Sequence, residues 1–228
     1  MRKFAISDIH GCFDTFQALL QQIELSKEDE LYLLGDYIDR GPLSKQVFDH
    51  IQDLQTQGYT VKCLRGNHEQ LMLDSTLGGQ HARVWMVNGG VQTLDSFGVN
   101  HINDVPSPYM ERMKQLPYFL EVDQYILVHA GLDFKDQPLE NFRAMLWIRN
   151  WYHQVDRAWL GDRIVVHGHT PIPRAAIKLQ LAMLGRLPVL NIDNGCYRYQ
   201  DMQRGQLCAF EMTEQKLYFQ PNIDRMTI

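Results

Sequence analysis

The chain lacks the features that would place it outside the ordinary soluble classes. Its 228 residues hold only 4 cysteines (Cys12, Cys63, Cys196 and Cys208), and none forms a Cys-x-x-Cys pair. That spacing gives neither a zinc knuckle nor a disulfide frame; scattered thiols read as reduced, which points to a cytoplasmic setting. No run approaches the roughly 18 uncharged apolar residues of a membrane span, so no membrane partner is expected. The opening Met1-Arg2-Lys3-Phe4-Ala5-Ile6 meets Ser7 and Asp8 too soon for the apolar core of a signal peptide. A basic excess is missing as well. The 22 Lys and Arg stand against 27 Asp and Glu, a net charge of −5, which speaks against a nucleic-acid partner held through its phosphates. No repeat, charge block or Pro/Gly/Ser-rich linker divides the sequence, and a chain of this length buries about 70% of its unfolded surface. A single domain, residues 1–228, is therefore expected to fold without a covalent or metal staple.

Strand and helix signals alternate over the first seventy residues. Lys3 to Ser7 reads as a short strand, and Phe13, Phe16, Leu19, Leu20 and Ile23 then repeat at helical spacing. Leu31 to Leu34 is an apolar run short enough for a strand buried on both faces. Pro42 and Ser44 open a second helix that Gly58 stops, and Thr60 to Leu64 is a third strand. This βαβαβ order implies parallel strands joined by right-handed crossovers. The middle reads as helical over 82–88, 92–97 and 109–115, and 74–117 is expected to build a substrate-facing wall. Tyr118 to Val122 and Tyr125 to Val128 flank Asp123-Gln124 as a hairpin. Further strands are expected over 163–166 and 187–192, with a last hairpin over 207–212 and 216–219. The fold class is α/β or α+β, with packed sheets and flanking helices.

Polar residues gather where the strands end. Five such ends carry short clusters: Asp8-Ile9-His10-Gly11, Gly35-Asp36-Tyr37-Ile38-Asp39-Arg40-Gly41, Gly66-Asn67-His68-Glu69, His129-Ala130-Gly131 and His167-Gly168-His169-Thr170. Each alone has an ordinary reading, as a capped turn, a loop with an ion pair or a core histidine beside a hydroxyl. Five together, each directly after an apolar strand, point to one crevice, because ligand sites in open α/β sheets lie beyond the carboxyl ends of strands. Carboxylate, imidazole and amide oxygen without thiolate suit Mn²⁺, Fe or Zn²⁺, whereas Mg²⁺ prefers more oxygen and less nitrogen. The candidate ligands exceed what one tetrahedral ion needs, and two ions sharing a carboxylate would use them all. Two metals roughly 3.5–4 Å apart are a standard device for in-line displacement at phosphorus.

The set DIHG, GDYIDRG, RGNHE, VHAGL and HGHT resembles the phosphoprotein phosphatase (PPP) family within the calcineurin-like metallophosphoesterases, above all its bacterial and phage branch. Asn191-Ile192-Asp193-Asn194-Gly195 resembles a further stretch of that branch. The resemblance implies a central β-sandwich of mixed sheets flanked by helices. It makes Asp8 and His10 ligands of a first divalent metal, Asp36 the bridging carboxylate, and Asn67, His129 and His169 ligands of a second. It makes His68 the catalytic histidine held by Asp39, and Arg40 a phosphate-contacting arginine; Arg149, in Trp147-Ile148-Arg149-Asn150, matches the second phosphate arginine. Manganese is the expected metal, with iron or zinc as alternatives.

What the resemblance implies chemically is phosphomonoester hydrolysis on phosphorylated serine or threonine of a protein or peptide. Phosphotyrosine and small aryl phosphates are further expected substrates. Hydroxide held between the metals would attack phosphorus directly, Arg40 and Arg149 would meet the growing charge, and His68 would protonate the leaving oxygen. Symmetrical dinucleoside polyphosphate hydrolysis is the alternative, since that branch has the same core motifs. A nuclease of the wider superfamily is disfavoured by Pro171, which stands where such chains continue Gly-His-x-His. The chain is much shorter than eukaryotic members and has no room for the segment that binds their regulatory subunits, so none is expected. Ser7 and Cys12 have nothing nearby to activate them as nucleophiles. His50, His81, His101 and His153 need no role, His167 is expected behind the metal ligands, and Trp147, Trp151 and Trp159 read as core.

Overall fold

Two parallel three-stranded units, each extended by antiparallel strands, carry the molecule. In the computed structural model, which describes residues 1–135 and 137–224, β1 (Lys3–Ile6), β2 (Glu30–Leu33) and β3 (Thr60–Cys63) pair in parallel. The hairpin of β8 (Gln206–Glu211) and β9 (Lys216–Pro221) adds to β1 antiparallel, giving the order β3-β2-β1-β8-β9. The second sheet runs β4-β5-β6-β7: β4 (Phe119–Val122) is antiparallel to β5 (Tyr125–Val128), and β5, β6 (Ile164–His167) and β7 (Val189–Asn191) are parallel. The chain thus has the α/β fold with two mixed sheets that the sequence implied, and both hairpins fall where the turn signals placed them.

Alternation along the strands sorts the core into three layers. Ala5 and Tyr32 from the first sheet meet Leu127, Val166 and Leu190 from the second, so one cluster lies between the sheets. Phe4, Ile6, Leu31 and Leu33 face the other way, onto α1 (Phe13–Gln22) and α2 (Ser44–Thr56) through Phe16, Leu19, Val47 and Ile51. Ile126, Val128 and Val165 point out of the second sheet onto Met145, Trp151 and Leu160. A fully buried side chain of this kind contributes about 1.5–3 kcal/mol, which fixes register: a one-residue slip would exchange the two faces.

The helices read over 82–88, 92–97 and 109–115 are present, whereas others, among them the one that follows Gly66, were not legible in the sequence. Gly66-Asn67-His68-Glu69 is the first turn of α3 (Asn67–Ser75), with Glu69 returning to the amide of Gly66 at 2.8 Å. Then come α4 (Gly79–Trp85), a π turn over Met86–Gly90, α5 (Val91–Phe97) and α6 (Ser107–Gln115). Trp147 ends α7 (Phe142–Trp147), and the chain leaves the helix at Ile148. Spacing had grouped Trp147, Trp151 and Trp159 as core. Trp151 is core, but Trp147 is 39% exposed, because the helix stops before its periodicity can bury it. The remaining helices are α8 (Arg157–Leu160) and α9 (Arg174–Ala182). Among the described residues no helix is long and apolar enough to cross a membrane.

Candidate metal centre

The carboxyl ends of all six parallel strands lie on one edge, and their loops are tied together there. The amides of His10 and Gly11 donate to the carbonyls of Asp36 and Tyr37 at 2.8 Å each. His129 Nδ1 donates to the Leu34 carbonyl at 2.9 Å, and the His169 amide donates to both oxygens of Asp8 at 3.0 and 3.1 Å. These last three bonds cross from one sheet to the other. Two glycines permit the approach: a Cβ on Gly66 would lie 2.2 Å from Asp36 Oδ1, and one on Gly168 would lie 1.9 Å from Asp8 Oδ2. Asp8, His10, Asp36, Asp39, Arg40 and His169 all hold positive φ, between 48 and 71°. Such backbone costs on the order of 1–2 kcal/mol at a residue other than glycine, and clusters where function over-determines it.

Asp36 sits at the centre. One group of metal-type ligands is His10, Asp36 and His68, the other Asp36, His129 and His169, and all are buried. Asp36 Oδ2 lies 3.5 Å from His10 Nε2, and Oδ1 lies 3.5 Å from His129 Nε2. Asn67 Oδ1 is 2.8 Å from His129 Nε2 and 2.7 Å from His169 Nδ1, which are 3.2 Å apart. Asp8 is 2% exposed beside them.

The donor chemistry fits bound cations. His10 and His129 each spend Nδ1 on a carbonyl, of Ile38 and Leu34, so each presents the Nε2 lone pair inward. At His10 that lone pair already faces a cation, the Arg40 guanidinium at 2.9 Å. Burial holds the imidazoles of His10, His129 and His169 below their ordinary range, so they are neutral donors. Burial, with Asp8 adding to it, pushes the Asp36 carboxyl up to about 7. Neutral imidazoles beside a buried carboxylate leave lone pairs that a cation could take up.

Beside this cage, His68 Nδ1 is 2.7 Å from Asp39 Oδ2, and its Nε2 remains 3.9 Å from Asp36 Oδ2. Burial pushes Asp39 up to about 7 and His68 down to about 4, with Arg40 also lowering His68. Burial and Arg40 oppose a proton on the imidazole, while the 2.7 Å contact with Asp39 orients its Nδ1. Arg40 stacks over the Tyr197 ring at 4.2 Å. Arg149 is exposed, with its charge felt at His169, and the Trp147 ring lies 6.4 Å from that of His169. His167 turns away: its Nε2 accepts from the Tyr152 hydroxyl at 2.8 Å, and its Nδ1 donates to the Gly168 carbonyl.

Four supporting residues escaped the sequence reading. Glu69 accepts from the amides of Asp36 and Tyr37 at 2.9 and 2.8 Å, and only its capping position three residues after Gly66 could have announced it. Trp85 Nε1 donates to Asp39 at 3.0 and 3.1 Å, and the Thr93 hydroxyl donates to Asp39 Oδ1 at 2.6 Å. These contacts come from the 74–117 segment, where Met86–Gln92 also flanks Arg40 and Tyr197 around a cavity of about 530 Å³. Tyr197 is the fourth. Outer partners of this kind typically matter by 10–100-fold. Thr93→Val, which keeps the volume and removes the donor, is expected to lower kcat by roughly 10-fold with KM nearly unchanged. Steady-state rates indistinguishable from wild type would remove Thr93 from this role.

Ligand clusters at the strand ends of paired mixed sheets define a metal-binding α/β protein. The family model for calcineurin-like phosphoesterases matches residues 1–203, and the chain belongs to that family. It is 30% identical over 135 residues to the symmetrical bis(5'-nucleosyl)-tetraphosphatase of Vibrio cholerae, which covers 58% of this chain and 45% of that protein. The chain thus spans less than half the length of that relative. It is 26% identical over 179 residues to serine/threonine-protein phosphatase 1 of Salmonella typhimurium, 75% of this chain and 79% of the relative. Among solved structures, a protein serine/threonine phosphatase from Saccharomyces cerevisiae superposes with a TM-score of 0.69 at 12% identity, over 100% of this chain and 82% of the other. A metallophosphoesterase from Sphaerobacter thermophilus gives 0.59 at 17%, over 99% and 89%. These two likenesses concern the fold.

Proposed function

We propose that the protein hydrolyses phosphomonoesters, and that its substrates are phosphorylated serine and threonine side chains. The observation that carries this reading is the shared position of Asp36 between two buried ligand groups, with the His68–Asp39 pair at its side. Asp8, His10 and Asp36 would hold one divalent cation; Asp36, Asn67, His129 and His169 would hold a second. The nitrogen and oxygen donor set, without thiolate, suits manganese, with iron or zinc as alternatives. Bound there, the cations supply Lewis acidity toward phosphoryl oxygens and lower the pKa of water.

The chain's own side chains do the rest. Arg40 and Arg149 bind the phosphoryl oxygens, where a guanidinium fork can donate twice. The Tyr197 ring stacks on the face of the Arg40 guanidinium, whose N–H groups donate within its plane. Asp39 fixes His68 through Nδ1, leaving Nε2 to deliver a proton to the departing oxygen. No covalent intermediate is needed, since neither Ser7 nor Cys12 has a base within hydrogen-bond reach among its contacts. The formal charge of −5 does not repel the substrate, because two arginines and the cations set the local sign.

A second reading is symmetrical dinucleoside polyphosphate hydrolysis, favoured by the 30% identity to the Vibrio enzyme. The likeness to the Salmonella phosphatase runs along more of this chain, which supports the phosphoprotein reading. The test is a side-by-side rate comparison with Mn²⁺ on a phosphoserine peptide and a dinucleoside tetraphosphate. Faster turnover of the peptide is expected; a large preference for the nucleotide would sink the phosphoprotein reading.

A further inference from the structure

Beyond Arg149 lies a cavity of about 390 Å³ that the catalytic reading does not use. Ala130 and Thr170 line it, and each is the immediate neighbour of a candidate ligand, His129 and His169. Arg149 belongs to its wall, so a phosphate gripped by this arginine stands at the entrance. The interior is mainly apolar, with Ile148 and Ile172 on the sides and the Trp151 ring behind.

The polar groups at the floor are already committed to one another. The Tyr152 hydroxyl donates to His167 Nε2 at 2.8 Å, with the side chains of Gln180 and Asn191 also hydrogen-bonded to it. Gln180 Oε1 accepts from the Asn191 amide at 2.8 Å, and Asn191 Nδ2 donates to the Thr170 carbonyl at 2.8 Å. A nucleobase entering here would lose water from its ring edge and find the hydrogen bonds of Tyr152, His167, Gln180 and Asn191 taken, with only exposed groups such as Asn150 and His153 outside that set, and an unpaired polar edge is costly to bury. An aliphatic or aromatic side chain has no such requirement. The volume, near the lower end for small-molecule pockets, holds one side chain and excludes a folded segment.

We propose that this cavity is a specificity pocket that receives one apolar side chain from a residue adjacent to the phosphorylated one. This rests on the phosphoprotein reading and names a feature of its substrate. The phosphate sits against Arg149, and the neighbouring side chain drops between Ile148 and Ile172. Peptides with Leu or Phe next to phosphoserine are turned over more efficiently than peptides with Gly or Asp there. A hydrophobic pocket discriminates by roughly 10-fold or more for such a change.

The experiment uses the full chain with Mn²⁺ and phosphoserine peptides carrying Leu, Phe, Trp, Gly or Asp on either side, with a small aryl phosphate as a substrate that has no neighbouring residue. Wild type is expected to prefer Leu and Phe by roughly 10-fold in kcat/KM, and Ile148→Trp, which fills the cavity, to abolish the preference while leaving aryl phosphate turnover unchanged. Ile148→Ala, which enlarges it, is expected to shift preference toward Trp-bearing peptides. Calorimetric affinities of non-hydrolysable phosphonate peptides should follow the same order. A flat peptide series, or a preference that survives Ile148→Trp, overturns the pocket while aryl phosphate turnover keeps the hydrolase reading. Competitive inhibition by adenosine that Ile148→Trp relieves would assign the cavity to a base and overturn it too. Loss of all phosphomonoester turnover would fall on the hydrolase reading alone, and the phosphonate affinities would then decide the pocket.

Discussion

Asp36→Asn is expected to lower metal-dependent turnover by roughly 10²–10³-fold, the scale on which loss of a preorganised electrostatic group acts. The residue reaches both ligand groups: Oδ2 faces His10 and Oδ1 faces His129, each at 3.5 Å. Among the described residues no other side chain belongs to both groups. The substitution keeps the volume, which matters because Gly66 leaves Asp36 Oδ1 so little room. It also imitates the protonated carboxyl that burial favours up to about pH 7. The fold should therefore survive with an unchanged metal-free melting temperature, while bound manganese per chain drops below the wild-type value. Elemental analysis of the dialysed protein, alongside rates, reads both effects. Wild-type metal content with wild-type turnover would remove Asp36 from the bridging position.

His68→Asn carries the second large effect, because the structure gives this histidine two candidate roles. Its imidazole belongs to one ligand group with His10 and Asp36. Its Nδ1, however, is bound to Asp39 at 2.7 Å, and its Nε2 stands off from Asp36 Oδ2 at 3.9 Å, which suits a proton donor aimed outward. If His68 delivers the proton, kcat on a phosphoserine peptide should fall by about 10²–10⁴. An aryl phosphate, whose leaving group needs little protonation, should lose much less, and metal content should not change. Loss of a metal ion together with equal rate losses on both substrates would make it a ligand instead.

Much of the site was legible because its residues sit where strands end. Asp8, Asp36, Asn67, His129 and His169 each follow an apolar run that is itself easy to read. The parallel pairing then brings those ends to one edge without further information. The residues around them were not legible, because their partners are distant and reached only through packing. Trp85 and Thr93 meet Asp39 across 46 and 54 residues of chain. Tyr197 carries no signal of its own until the last loop folds back over Arg40. Helix α3 was hidden by its polar first turn, in which Asn67 and His68 face the cage rather than a core. Trp147 shows the reverse error: spacing implied burial, but a helix ending at that residue turns its ring toward His169 instead.

The left-handed backbone shared by Asp8, His10, Asp36, Asp39, Arg40 and His169 ties durability to ligation. Six such positions, at about 1–2 kcal/mol each, withdraw an amount comparable with the 5–15 kcal/mol by which a whole protein resists unfolding. The loops are thus sprung, and cations held there would act as rivets. A chain built this way concentrates its backbone strain at one rim, so stripping that rim of cations would be expected to lower its melting temperature.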